Sequence, residues 1–261
     1  MLAKLDYNLL VDTAILAGEI MLRGGAETYR VEDTVTRILS ISGFENCDVF
    51  VISTSIMVTI SDISINTITR VRKVGERSTN LGNIYYANDI SRKLCSGNLE
   101  LEEAHNKLVE LLSVKRYPDW LLYLCTIISA TAFTLLFGAT VMECTLAAMN
   151  GVYIVISKLL YKGVKINRFV SNMAVSCIIA ITTSLTTQLP GLHVDIEPII
   201  AGSIMPMLPG VALTNAFRDT LQGDYVSGTA RLVEAFVIAA SLAVGIGAGL
   251  AIGKAILGGV L

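Results

Sequence analysis

Histidine is almost absent from this 261-residue chain, which has only His105 and His193, and no HExxH, GxSxG or Walker sequence occurs. A histidine-based triad or metal centre, and ATP-driven work by this chain alone, therefore have no motif behind them. The 5 cysteines, Cys47, Cys95, Cys125, Cys144 and Cys177, show no CxxC spacing. They read as small hydrophobic core residues and not as metal or redox ligands. A basic face with interleaved aromatics is also missing, at a net charge of -2 and a pI near 5.7, which sets nucleic acid aside as a partner. Lys4, Asp6, Asp12 and Glu19 interrupt the opening helical pattern, so it lacks the apolar core of a cleaved signal peptide. The N-terminal part is expected to stay cytoplasmic, and no cofactor or metal is expected.

What is abundant is apolar sequence: 53% hydrophobic residues against 16% charged, with a mean hydropathy of +0.63. The charge is uneven. Residues 1–116 hold 13 basic and 15 acidic side chains, and the following 145 residues hold 14 charges in all. The expected fold is an α-helical polytopic membrane protein of about five transmembrane helices with an N-terminal cytoplasmic α+β domain. The division falls at residues 1–116 and 117–261.

Within the first part, Leu5 to Leu22 and Glu27 to Ile41 carry helical periodicity, the second stretch ending at Gly43. Between them, Arg23-Gly24-Gly25-Ala26-Glu27-Thr28-Tyr29-Arg30 makes a polar corner. Its glycines can free backbone N–H groups at the start of the second helix, the geometry of an anion site. Asp48 to Ile52, Ser55 to Ser61 and Ile65 to Val74 alternate with period two and predict a three-stranded antiparallel meander. Helices return at Leu81 to Leu94 and Leu99 to Leu112, with Asn98 as the expected N-cap of the latter.

Five long apolar stretches follow, with spans expected at about 120–138, 140–161, 168–189, 195–214 and 228–257. Pro198, Pro206 and Pro209 break the hydrogen-bond ladder of the fourth, so it is either a broken span or a re-entrant segment. Lys115, Arg116, Lys158, Lys162, Lys165, Arg168 and Arg218 all fall on one side of a five-span arrangement, with Lys254 as a mild dissenter. The positive-inside rule then places the N-terminus inside and the C-terminus outside.

The interruption Ser203-Ile204-Met205-Pro206-Met207-Leu208-Pro209-Gly210 bares carbonyls before the break and N–H groups after it. A half-helix starting near Gly210 would point its positive end at an anionic group such as a substrate carboxylate; the plain alternative is a proline kink at the membrane edge. The densest polar cluster of the second part comes next: Asn215, Arg218, Asp219, Asp224, Arg231 and Glu234. Any of these charges lying below the interface would be functional, and the alternative is a solvated loop with Arg231 and Glu234 snorkelling. Glu143, one turn into the second span, is a candidate for proton coupling. His193, Asp195 and Glu197 stand at the outer mouth of the fourth span. Ser241, Gly245, Gly249 and Gly253 place a small residue at every fourth position of the last span, a ridge for close helix contact.

The stretch Gly18 to Glu32, together with Pro209-Gly210, Asn215, Arg218-Asp219, Gly223-Asp224 and Ser227-Gly228, resembles the threonine/serine exporter family nearly end to end. The resemblance implies a cytoplasmic domain followed by about ten spans, fused in one chain or split between a larger subunit and a small all-membrane one. This chain is similar to the larger subunit of the split type. Carried over residue by residue, Pro209, Gly210, Asn215, Arg218, Asp219, Gly223 and Asp224 match the membrane motif, and Gly25, Ala26, Glu27, Arg30 and Glu32 the N-terminal one. In the turn into the second span this sequence has Ala139 and Glu143 where a glycine and an aspartate are expected.

The expectation is a secondary transporter in a bacterial-type inner membrane, not an enzyme. It would export threonine or serine, or a succinate-like dicarboxylate. Its partners would be that solute, the lipid bilayer, and a five-span membrane subunit or further copies of itself, with proton coupling. The rival is a membrane-anchored enzyme or sensor whose site lies around Arg23 to Arg30.

Overall fold

The computed structural model describes residues 6–44, 46–63, 65–75, 78–113, 117–161, 167–186 and 194–257. Lys115, Arg116, Lys162, Lys165 and His193, invoked above for orientation and for the outer mouth, lie outside the described residues. The chain forms two compact units. The first comprises Met1–Lys115 with Gly210–Val233, and the second Arg116–Pro209 with Glu234–Leu261.

The first unit is built around α1 (Tyr7–Arg23), whose N-terminus is capped by Asp6 accepting from the N–H groups of Asn8 and Leu9 at 3.0 and 3.2 Å. A run such as Leu-Leu-Val-Asp-Thr-Ala-Ile-Leu-Ala is apolar on nearly every face, and a helix of that kind must be covered all round. It packs against α2 (Thr28–Leu39), α3 (Leu81–Cys95), α4 (Leu101–Ser113) and the sheet. Gly18 marks a close approach: a Cβ there would stand 2.7 Å from Val35 Cγ2 and 2.9 Å from Ile56 Cδ1. The α2 helix is amphipathic, burying Val31, Val35, Ile38 and Leu39.

The sheet is the expected meander: β1 (Asn46–Ile52), β2 (Ser55–Asp62) and β3 (Ile65–Lys73), antiparallel in the order 1-2-3, with Val49 opposite Val58 and Thr59 opposite Thr69. Ile56, Val58 and Ile60 turn one face of β2 into the core. One expected cap is corrected. Asn98 does not start α4, because its N–H is tied back to the Lys93 carbonyl and its amide donates to Ser96 Oγ, so it closes the turn after α3. The first α4 carbonyl to accept is that of Glu100.

The second unit contains α5 (Asp119–Leu136), α6 (Val141–Tyr161), α7 (Arg168–Thr186), α8 (Ile196–Ile204) and a 3-10 turn (Met205–Met207). After the break come α9 (Gly210–Leu221), in the first unit, and α10 (Tyr225–Ile256), shared between the two. Among the described residues four helices, α5, α6, α7 and α10, are long and apolar enough to cross a membrane, and up to five segments are if Ile196–Met207 and Gly210–Leu221 form one broken span. Only 11% of the α5 stretch is buried, leaving Leu122, Ile128 and Leu135 exposed; a continuous apolar surface of this kind belongs against lipid.

Close backbone contacts hold these helices together. The small-residue ridge of α10 meets α7: a Cβ at Gly249 would stand 2.7 Å from Ala180 Cβ, one at Gly253 2.8 Å from Ser184 Cβ, and one at Gly245 would overlap Ser176 and Met173. At Gly202 of α8 a Cβ would overlap Thr134 of α5, 2.5 Å from its Cα. The cysteines depart from the expectation of core packing. Cys144 is buried, whereas Cys95 and Cys125 are exposed, the latter because it lies on the open flank of α5.

Candidate functional site

The corner between α1 and α2 is shaped by Gly25, whose φ of +90° is a left-handed conformation suited to glycine. This turn presents the carbonyls of Gly25 and Ala26 and the N–H of Thr28 away from both helices, and α9 and α10 satisfy each of them. Asn215 Nδ2 donates to Gly25 O at 2.7 Å, and Arg231 Nη2 donates to Ala26 O at 2.8 Å. The Thr28 N–H and hydroxyl donate to the two oxygens of Asp219 at 3.0 and 3.2 Å. Arg231 Nε lies 3.0 Å from Asp219 Oδ2, with both side chains almost wholly buried. The anion expected at the start of α2 is thus the chain's own Asp219.

Around this buried centre sits a second layer. The Glu27 carboxylate is shared between Arg218, by a short ion pair, and Arg30 at 3.3 Å. Asp224 caps α10 by accepting from Ser227 N at 3.0 Å, and Ser227 Oγ in turn accepts from Ser53 N at 3.1 Å. Arg231 is therefore a buried, ion-paired residue and not a snorkelling one. Asn215, Arg218 and Asp219 occupy positions i, i+3 and i+4 of α9, so they share one face, directed at the corner.

Burial pushes the Glu27 carboxyl up, but hydrogen bonds from its own backbone N–H and from Arg218, with the charge of Arg30, outweigh it and hold the group below its ordinary value. A depressed carboxyl contributes stability that is present above its unfolded value and is lost as pH falls through the lowered folded one. The melting temperature of the purified protein is expected to drop across that acid range, and Glu27→Gln is expected to flatten the drop while lowering stability at neutral pH. Parallel melting curves at stepped pH check this.

Beside the corner, also within the first unit, lies a cleft of about 690 Å³ lined by Tyr29, Glu32, Asp33, Phe50, Asp224 and Tyr225 among others. Burial and the neighbouring Asp224 charge push the Glu32 carboxyl up. Carboxylates beside exposed aromatic rings suit a cationic group, such as the ammonium of an amino acid.

In the second unit Glu143 sits in the first turn of α6 as one half of a capping box. Its Oε2 accepts from Thr140 N at 2.6 Å and from Thr140 Oγ1 at 3.0 Å, and its Oε1 accepts from Asp195 N at 2.6 Å. Three donors occupy a carboxylate read from sequence as a titrating group. Deeper in the spans, Asn150 Nδ2 donates to Thr183 Oγ1 at 3.1 Å and to Ser203 Oγ at 3.0 Å, and Thr182 Oγ1 donates to Asn150 Oδ1 at 3.4 Å. This buried network joins α6, α7 and α8 just before the break, where Pro206 lies in the 3-10 turn, Leu208 is extended and Gly210 opens α9.

Of the residues singled out in the sequence, Gly25, Glu27, Arg30, Asn215, Arg218, Asp219, Asp224 and Arg231 come together in the first unit, with Glu32 facing the adjoining cleft. Glu143, Pro206 and Pro209 belong to the second unit, and Glu234 opens the part of α10 assigned to it. Thr28, Ser203 and Ser227 figured in the sequence only as members of longer motifs, while Asn150, Thr182 and Thr183 escaped it altogether. An amide in the middle of the apolar run from Val141 was the available signal for Asn150. Among the described residues no group of His, Cys, Asp and Glu could hold a metal ion.

A family model described as "Putative threonine/serine exporter" matches residues 12–253. A Mycobacterium tuberculosis protein named "Probable threonine/serine exporter" is 26% identical over 242 residues, covering 91% of this chain and 45% of that protein. The chain thus spans about half the length of that relative. A Klebsiella aerogenes protein named "Probable succinate transporter subunit YjjP" is 25% identical over 250 residues, covering 93% of each. No solved structure matches.

Proposed function

The chain belongs to the threonine/serine exporter family, and on that premise we propose that it is a secondary exporter of a small amino acid such as threonine or serine, or of a succinate-like dicarboxylate. Its relatives are named as transporters and not as enzymes, which favours transport over the anchored-enzyme reading. The observation that carries the proposal is the interrupted segment Ile196–Met207 and Gly210–Leu221, preceded by the buried Asn150, Thr183 and Ser203 network. Polar side chains are costly inside a membrane and are kept where they line a solute path, and a broken helix supplies unpaired backbone groups to the solute. In this reading Ser203 to Gly210 cradles the carboxylate, and Arg218, more than half exposed, draws it in from the cytoplasm.

Residues 210–233 belong to the same compact unit as residues 1–115, and after three spans between Asp119 and Thr186 a further crossing is needed to return there. This parity supports five crossings with the termini on opposite sides, and the bias of Lys and Arg in the sequence favours the N-terminus inside. Glu32 is the best-placed carrier of a coupling proton, because burial and the neighbouring Asp224 charge push its carboxyl up whereas Asp219 and Glu143 are committed to internal donors. The first relative is about twice as long and the second is named a subunit, so a second membrane subunit, or another copy, would complete the pathway.

The test is efflux from cells preloaded with labelled threonine, serine or succinate, with this chain expressed alone and then with its chromosomal neighbour if that encodes a small membrane protein. Asn150→Leu is expected to lower the efflux rate at least about tenfold at unchanged protein level, the scale of losing one buried hydrogen-bonding group. Unchanged efflux would remove the network from the path. Efflux that survives Arg218→Gln would remove the attracting role of that arginine.

A further inference from the structure

On the first unit, α2 and α3 enclose a cleft of about 440 Å³ that shares Arg30 with the corner described above. Its walls bring together three guanidinium groups, Arg30, Arg37 and Arg92, against a single carboxylate, Asp33, with Asn88 and Ser96 adding neutral polar groups. Arg37 is paired with Asp33 at 2.8 Å. Arg30 leans to the other side, 3.3 Å from Glu27, and Arg92 makes no ion pair among the described residues. The cleft therefore carries an excess of positive charge on forked donors that match carboxylate or phosphate oxygens.

We propose that the α2–α3 cleft binds a small dianion, a dicarboxylate or a phosphate, and that Arg30 couples its occupancy to the Glu27–Arg218 pair. Arg30 lines the cleft and also lies 3.3 Å from Glu27, and so links the two. An anion in the cleft competes with Glu27 for the Arg30 guanidinium, and Glu27 then turns more fully to Arg218 on α9. The coupling is reciprocal: whatever changes the hold of Glu27 on Arg30 changes the affinity of the cleft by the same factor. The site is a property of the first unit and does not rest on the transport reading.

Calorimetric titration of the full-length protein in detergent with succinate, and separately with inorganic phosphate, tests this at fixed ionic strength. Saturable binding of either anion is expected, and whichever binds identifies the source of the acidic groups. Arg92→Gln, a change at a residue without an ion pair to lose, is expected to weaken binding about tenfold, the value of one charge-assisted contact. Arg218→Gln leaves Glu27 with Arg30 alone and is expected to weaken binding several-fold although it lies outside the cleft. Absence of saturable binding by both anions, or binding indifferent to Arg92→Gln, overturns the site. Binding that responds to Arg92→Gln but not to Arg218→Gln overturns the coupling.

Discussion

Asp219→Ala is expected to cost about 3–5 kcal/mol of stability, the range for removing one member of a buried ion pair. The size follows from what is left behind. Thr28 loses the acceptor for both its N–H and its hydroxyl, and the Arg231 guanidinium keeps its charge in a position where only 4% of the side chain reaches solvent. An uncompensated buried charge is worse than no charge, so Asp219→Ala combined with Arg231→Met should be less damaging than Asp219→Ala alone. Thermal unfolding of detergent-solubilised protein, followed by size-exclusion of the surviving fraction, measures both. Equal melting of wild type and Asp219→Ala would show that the corner between α1 and α2 is not held from α9.

The second large effect is expected from Gly202→Ala. A methyl group at that position has to displace the Thr134 backbone of α5, whose N and Cα lie inside van der Waals distance of the added carbon. Side chains can rotate away from an intruder, but a helix backbone moves only as a whole. Overpacking of a core ordinarily costs about 1–3 kcal/mol, and a backbone obstacle puts this site at or above the top of that range. Gly247→Ala on α10 is the control, because nothing lies within 4 Å of a Cβ there. Monodisperse elution for Gly247→Ala with aggregation or loss of expression for Gly202→Ala is the expected pair of results.

Much of this architecture is written locally. Ile56, Val58 and Ile60 alternate because β2 has one buried face, and Leu121 to Leu136 is mostly apolar, with Thr126, Ala130 and Thr134 turned to protein, because lipid covers what protein does not. Such patterns need no partner to be recognised. The corner is a different case. Its glycines announced free N–H groups and an anion, yet the anion comes from a residue 191 positions away, and no local pattern connects Thr28 to Asp219. The apolar run around the fourth span likewise hid the double character of α9, which follows directly on α8 in sequence but turns Asn215, Arg218 and Asp219 toward the corner. Asn98 misled for a local reason: it is a good capping residue, but the Lys93 carbonyl captured its backbone first.

That separation of 191 residues also sets a schedule for synthesis. At ribosomal speeds of about 5–20 residues per second, Thr28 is made roughly 10–40 seconds before Asp219 exists to receive its N–H. During that interval the hydrophobic core of α1 to α4 can assemble while the carbonyls of Gly25 and Ala26 still depend on water. A fragment ending near residue 116 would stay at that stage permanently, so the N-terminal half made alone should emerge as a folding intermediate whose α1–α2 corner exchanges amide hydrogens rapidly. Completion of the domain is thereby tied to arrival of the chain's later, membrane-side segments.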